Sequence, residues 1–113
     1  MKTTDIYQRY YEASGEYNGI KRRAASVKLT AESDCGMIKY ELSVNFFPHM
    51  DNEDFAVSYD AYFSKILYEG KGRRQKKREQ AYLSDLRNFA EALAKESGGK
   101  IYFDLPLTDA KTA

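Results

Sequence analysis

The segment that most constrains the fold carries six cations, Lys71, Arg73, Arg74, Lys76, Lys77 and Arg78, directly into an apolar stripe at helical spacing. Tyr82, Leu83, Leu86, Phe89, Ala90 and Leu93 recur at the i, i+3, i+4, i+7 intervals of one helical face, and Ser97-Gly98-Gly99 supplies the stop. The spacing predicts a long helix from Arg73 to Glu96. With about 100° of turn per residue, Arg73 and Lys77 point almost opposite to the apolar sector and Lys76 lies nearer its flank. A helix N-terminus already holds roughly +0.5 of a charge, so each cation placed there costs about 0.3–1 kcal/mol unless solvent or an anion offsets it. One reading is a solvated charged face. The other is a polyphosphate site behind two flexible glycines, Gly70 and Gly72.

The rest of the chain is expected to cover that helix with a sheet. Val27, Leu29 and Ala31 alternate with polar residues over 27–33, and Ser33-Asp34-Cys35-Gly36 supplies a hairpin turn. Ile38, Tyr40, Leu42, Val44 and Phe46 give the cleanest alternation, broken by Phe47-Pro48-His49. Phe55, Val57, Tyr59, Ala61 and Phe63 form another face, followed by Ile66-Leu67-Tyr68, as one bent strand or as two with a turn near Ser64. Residues 100–105 predict a last short strand. At the other end, Ile6, Tyr7, Tyr10, Tyr11 and Ala13 make a stripe at helical spacing over residues 4–13, and residues 14–25 lack a period and predict a loop. The expected architecture is α+β: an N-terminal helix, an antiparallel sheet of three to four strands, one long helix packed on it, and a short C-terminal strand. Residues 1–105 form one domain in this reading, with 106–113 a flexible tail. Tyr82, Leu86, Phe89 and Leu93 are expected to pack on Tyr40, Leu42, Val57 and Tyr59.

Charge is informative in its distribution. The net charge is +1, yet nine of the eighteen basic residues lie in two runs, Lys21 to Arg23 and Lys71 to Arg78, while acids gather at Glu32 and Asp34 and at Asp51, Glu53 and Asp54. With 42% hydrophobic residues, the chain has a globular composition and not that of a disordered tail. One cysteine, Cys35, excludes an intrachain disulfide and is expected to be incidental in its turn. No apolar run approaches the ~20 residues of a membrane span, and no leader-like segment opens the chain, so the expectation is a cytoplasmic protein.

Chemistry finds few carriers. The single His and single Cys stand apart, and no catalytic or nucleotide-binding fingerprint occurs, so an enzyme and a cofactor are not expected. His49, Asp51 and Glu53 alternate, with Asp54 beside them, but a lone His among carboxylates is more often a solvated loop than a metal site. Among the tyrosines, Tyr40 and Tyr59 fall on expected core faces. Tyr17 and Tyr62 do not, which leaves them to stack on bases, to anchor a partner, or simply to favour strand.

Gly70-Lys71-Gly72 with Lys76-Lys77, together with Phe47-Pro48-His49 and Ile6-Tyr7-Gln8, resembles the double-stranded-RNA-binding domain over about 40–95 and part of the first helix. The resemblance implies that Lys76 and Lys77, with Arg73 beside them, clamp phosphates across a major groove, and that His49 and Gln8 enter minor grooves. Departures from the pattern are the strand at 27–33, the long first connection, Tyr82, Leu83 and Leu86 in place of small alanines, and the trailing strand. The expected function is therefore a small non-enzymatic module binding nucleic acid, duplex RNA first, through Lys71, Arg73, Arg74, Lys76, Lys77 and Arg78. The alternative is a phage or mobile-element accessory protein of the anti-restriction or anti-CRISPR type, which inhibits a protein or nucleoprotein partner through Asp51, Glu53, Asp54 and Tyr62.

Overall fold

Four long strands precede the helix in the computed structural model, which describes residues 2–15, 19, 23–47 and 61–103. They are β1 (Lys2–Ser14), β2 (Arg23–Asp34), β3 (Met37–Phe47) and β4 (Ala61–Lys71); α1 (Lys76–Glu96) and β5 (Lys100–Tyr102) follow. All pairings are antiparallel, and the order across the sheet is β4-β3-β2-β1-β5. The sheet curls into a half-barrel. Register irregularities between Asp5 and Tyr7 on β1 and at Leu67 on β4 add local twist, as bulges do.

The expected architecture is corrected at several points. Residues 4–13 are strand and not helix, and among the described residues the sheet has five strands. The stripe that mimicked a helix is a tyrosine-rich strand with a bulge. The extra residue at Ile6 lets both Ile6 and Tyr7 pack on the core, after which Tyr7, Tyr11 and Ala13 keep one face by simple alternation. The Tyr7 and Tyr11 hydroxyls are hydrogen-bonded to each other. Part of the segment expected as a loop also belongs to the sheet, because β2 begins at Arg23. Near Ser64 there is no turn: β4 continues to Lys71, so Gly70 and Lys71 lie in strand and not in a flexible lead to the helix. The helix starts at Lys76, three residues later than its stripe implied, and β5 is Lys100–Tyr102 within the expected 100–105.

The β2–β3 hairpin turns at Cys35-Gly36, with positive φ at both (52° and 79°), the backbone of a tight two-residue turn. The core lies between the sheet and α1. Val27, Leu29, Leu42, Val44 and Phe46 project from the central strands against Leu83, Leu86, Ala90, Leu93 and Ala94 of the helix. Each large side chain buried there contributes about 1.5–3 kcal/mol, which makes this contact the main source of stability. Of the expected contacts, Tyr82 meets Tyr40 edge-on at 5.4 Å between centroids; Val57 and Tyr59 lie outside the described residues. After α1, the N–H groups of Ser97, Gly98 and Gly99 close on the carbonyls of Ala94 and Lys95, with Gly98 at φ 79°. β5 then pairs Glu12, Ala13 and Ser14 at the end of β1, on the opposite edge from β4. α1 therefore crosses the sheet from one edge to the other.

Candidate functional site

At the corner where β4 passes into α1, the backbone is tied to the sheet at two points. The Gly72 N–H donates to the Gly36 carbonyl at 2.8 Å, and the Gln75 N–H donates to the Tyr40 hydroxyl at 3.0 Å. Tyr40 is fully buried on β3, and a buried tyrosine hydroxyl needs partners. It accepts from Gln75 and donates to Glu79 Oε2 at 2.8 Å. Glu79, in the first turn of α1, is itself buried, and Arg74 grips it with Nε on Oε2 and Nη2 on Oε1, both at 2.8 Å. This bidentate pair is the strong form of the arginine–carboxylate contact.

The electrostatics follow from those bonds. The Arg74 guanidinium, aided by the Tyr40 hydroxyl, holds the Glu79 carboxyl below its ordinary range despite burial. Burial pushes the Tyr40 hydroxyl up, and Glu79 adds to the rise. The carboxylate also stands near the positive end of the helix, where it offsets the dipole that the neighbouring lysines oppose. Gln75, at the N-cap position, gives no side-chain cap.

The six cations of the run therefore divide. Arg74 is committed to Glu79, and Arg78 lies over the Tyr68 ring at 3.7 Å from its centroid. Lys71, Arg73, Lys76 and Lys77 are exposed: Lys71 ends β4, Arg73 lies in the connection, and the two lysines open α1. Arg73 and Lys2 line one shallow depression with Asp34 and Cys35 at the β2–β3 turn. The second basic run contributes differently, since Arg23 is buried with its guanidinium 4.1 Å from the Phe46 ring centroid, and Lys21 and Arg22 lie outside the described residues.

The other expected site residues are not gathered at this corner. Gln8 is exposed on β1 opposite Lys28, on the face of the sheet turned away from α1. Its expected place on a helix is overturned by β1. Tyr62 is exposed on β4, on that same outer face, in a row with Asn45, Ser26 and Tyr10. His49, Asp51, Glu53 and Asp54 lie outside the described residues. Among the described residues, no group of three or more His, Cys, Asp or Glu is placed to hold a metal ion, and no helix is long and apolar enough to cross a membrane.

Sequence reasoning missed the Tyr40–Glu79–Arg74 network. The available signals were a core tyrosine whose hydroxyl needed a partner and one carboxylate closing the cationic run. Comparison with protein-family models, curated proteins and solved structures gives no match to this chain.

Proposed function

We propose that this chain is a non-enzymatic binding module that engages the phosphate backbone of nucleic acid through the β4–α1 corner. The observation that supports this reading is the exposure of Lys71, Arg73, Lys76 and Lys77 within seven residues of chain, at a corner whose backbone is pinned by Gly36, Tyr40 and Glu79. Cations held on a fixed backbone lose less freedom when they meet a polyanion than cations on a loose loop. With Arg74 engaged by Glu79 and Arg78 by the Tyr68 ring, four exposed cations are left to neutralise about four phosphates. Phosphate contacts of this kind position a partner without reading its sequence. A preference for duplex RNA is the first one to test, because it is what the resemblance implies, although Gln8 lies on the outer sheet face, away from this corner.

The test is binding of the purified chain to duplex RNA, duplex DNA and single strands at one moderate salt concentration, with Lys76→Ala/Lys77→Ala alongside. The reading predicts binding that depends little on sequence and that the double variant weakens about 10-fold or more on every strand it binds. No binding to any of the nucleic acids ends it.

A further inference from the structure

Arg78 stands apart from the other five cations of its run. Four of those are exposed and Arg74 is locked to Glu79, whereas Arg78 is half-buried, with its guanidinium carbon 3.7 Å from the centroid of the Tyr68 ring. At that distance the guanidinium lies flat on the ring, because an N–H aimed end-on at it would hold the carbon away by about a further C–N bond length. Tyr68 is itself fixed in place. It turns inward beyond the bulge in β4, opposite Tyr40, and packs on the cluster of Ala31, Ile38 and Tyr40. Its hydroxyl end lies across Gly70, where a Cβ would come within 2.9 Å of the oxygen.

The ring covers one plane of Arg78 and leaves its N–H groups unbonded. Among the described residues Arg78 takes part in no hydrogen bond and no ion pair, and none of its nitrogens is a buried atom lacking a partner, so they are open to solvent. The carboxylates around it are turned elsewhere: Glu79 is held by Arg74 and Tyr40, Glu69 lies on the opposite face of β4, and Asp85 stands about two turns along α1. Lys77 precedes Arg78 in the chain and Lys71 follows Gly70, so an exposed cation adjoins each half of the stack. A planar cation held flat on one side and set among exposed lysines is a surface on which a base stacks while its phosphates are neutralised.

We propose that Arg78, held flat by Tyr68, takes an unpaired nucleobase on its other plane. The proposal rests on the reading of the corner as a phosphate-binding surface, and it gives that surface a preference for strands with unpaired bases, against the duplex that the resemblance implies. Inside a duplex both faces of each base are stacked on its neighbours, so only a single strand, a loop or an end offers a face to Arg78. Every base has such a face, and the contact therefore tolerates changes of sequence.

The experiment compares two probes of equal length and charge, single-stranded oligothymidylate and its abasic counterpart, binding to the full chain at one moderate salt concentration. The wild type should bind oligothymidylate about 10-fold more tightly than the abasic strand. Arg78→Lys keeps the charge and loses the plane, so it should bring the two affinities to within about 2-fold while leaving the abasic strand bound as before. Gly70→Ala moves the Tyr68 ring and leaves Arg78 in the chain, and should narrow the gap part of the way. Equal binding of the two probes by the wild type, or a preference that survives Arg78→Lys, overturns the base contact and leaves the phosphate surface standing. Loss of both probes alike in Arg78→Lys makes Arg78 a brace for the fold and overturns it too. Binding of neither probe by the wild type ends the phosphate surface and the base contact together.

Discussion

The body of α1 and the corner that launches it are continuous in sequence, yet they are held by opposite kinds of force. From Leu83 to Ala94 the helix is fastened by apolar burial against Leu29, Leu42, Val44 and Phe46. At its first turn it is fastened by one buried carboxylate shared between Tyr40 and Arg74. Burial is non-directional and tolerates small shifts, whereas hydrogen bonds to Glu79 fix position and angle. The difference teaches that a basic run is not a uniform surface. Arg74 and Arg78 build the corner, and their neighbours are displayed by it.

The largest effect should come from the body. Leu86 is fully buried, and Leu86→Ala should cost about 2–5 kcal/mol by lost transfer energy and a residual cavity, seen as a lowered midpoint in chemical denaturation. A midpoint unmoved by this change would break the comparison at its stronger end.

The joint comes next. Arg74 has a side chain 47% exposed, so water screens part of the pair, and Glu79→Gln should cost about 2 kcal/mol and not the roughly 3–5 of a fully buried one. Its pH dependence has a definite sign. The folded-state carboxyl titrates below its ordinary value near 4.5, so the stability it contributes is present above that value and is lost as pH falls through the lower folded one. The gap in stability between the wild type and Glu79→Gln should therefore hold steady near neutrality and narrow on acidification below about 4.5. A constant gap in acid would mean that Glu79 is not held by Arg74.

How much of this the sequence disclosed follows the same division. The apolar stripe of α1 and the even-numbered face of β3 were legible because each repeats a period over many residues. Ser97-Gly98-Gly99 marked the helix end, and Asp34-Cys35-Gly36 the hairpin. β1 was not legible, since the bulged residue at Ile6 and an exposed Tyr10 on the outer face together gave a strand the spacing of a helix. Nor was the helix start: Arg73 and Arg74 suit a helix by propensity, but the bonds of Gln75 to Tyr40 and of Arg74 to Glu79 hold that stretch extended. The bonds of Tyr40 to Gln75 and to Glu79 join residues 35 and 39 positions apart, which no local pattern reveals.

The smallest stability effect belongs to the displayed cations. Lys76→Ala with Lys77→Ala should leave the melting temperature unchanged or raise stability by up to about 0.5 kcal/mol, because both charges leave the positive end of a helix. A marked loss would assign them a structural part like that of Arg74.

The most direct test of the corner as a phosphate-binding surface is the salt dependence of duplex affinity for the wild type and for Lys76→Ala/Lys77→Ala. Four displayed cations predict a log–log slope of roughly −3 to −4 for the wild type, falling to about half that in the double variant. A flat affinity between low and moderate salt, or a slope that the double variant leaves unchanged, would contradict the account.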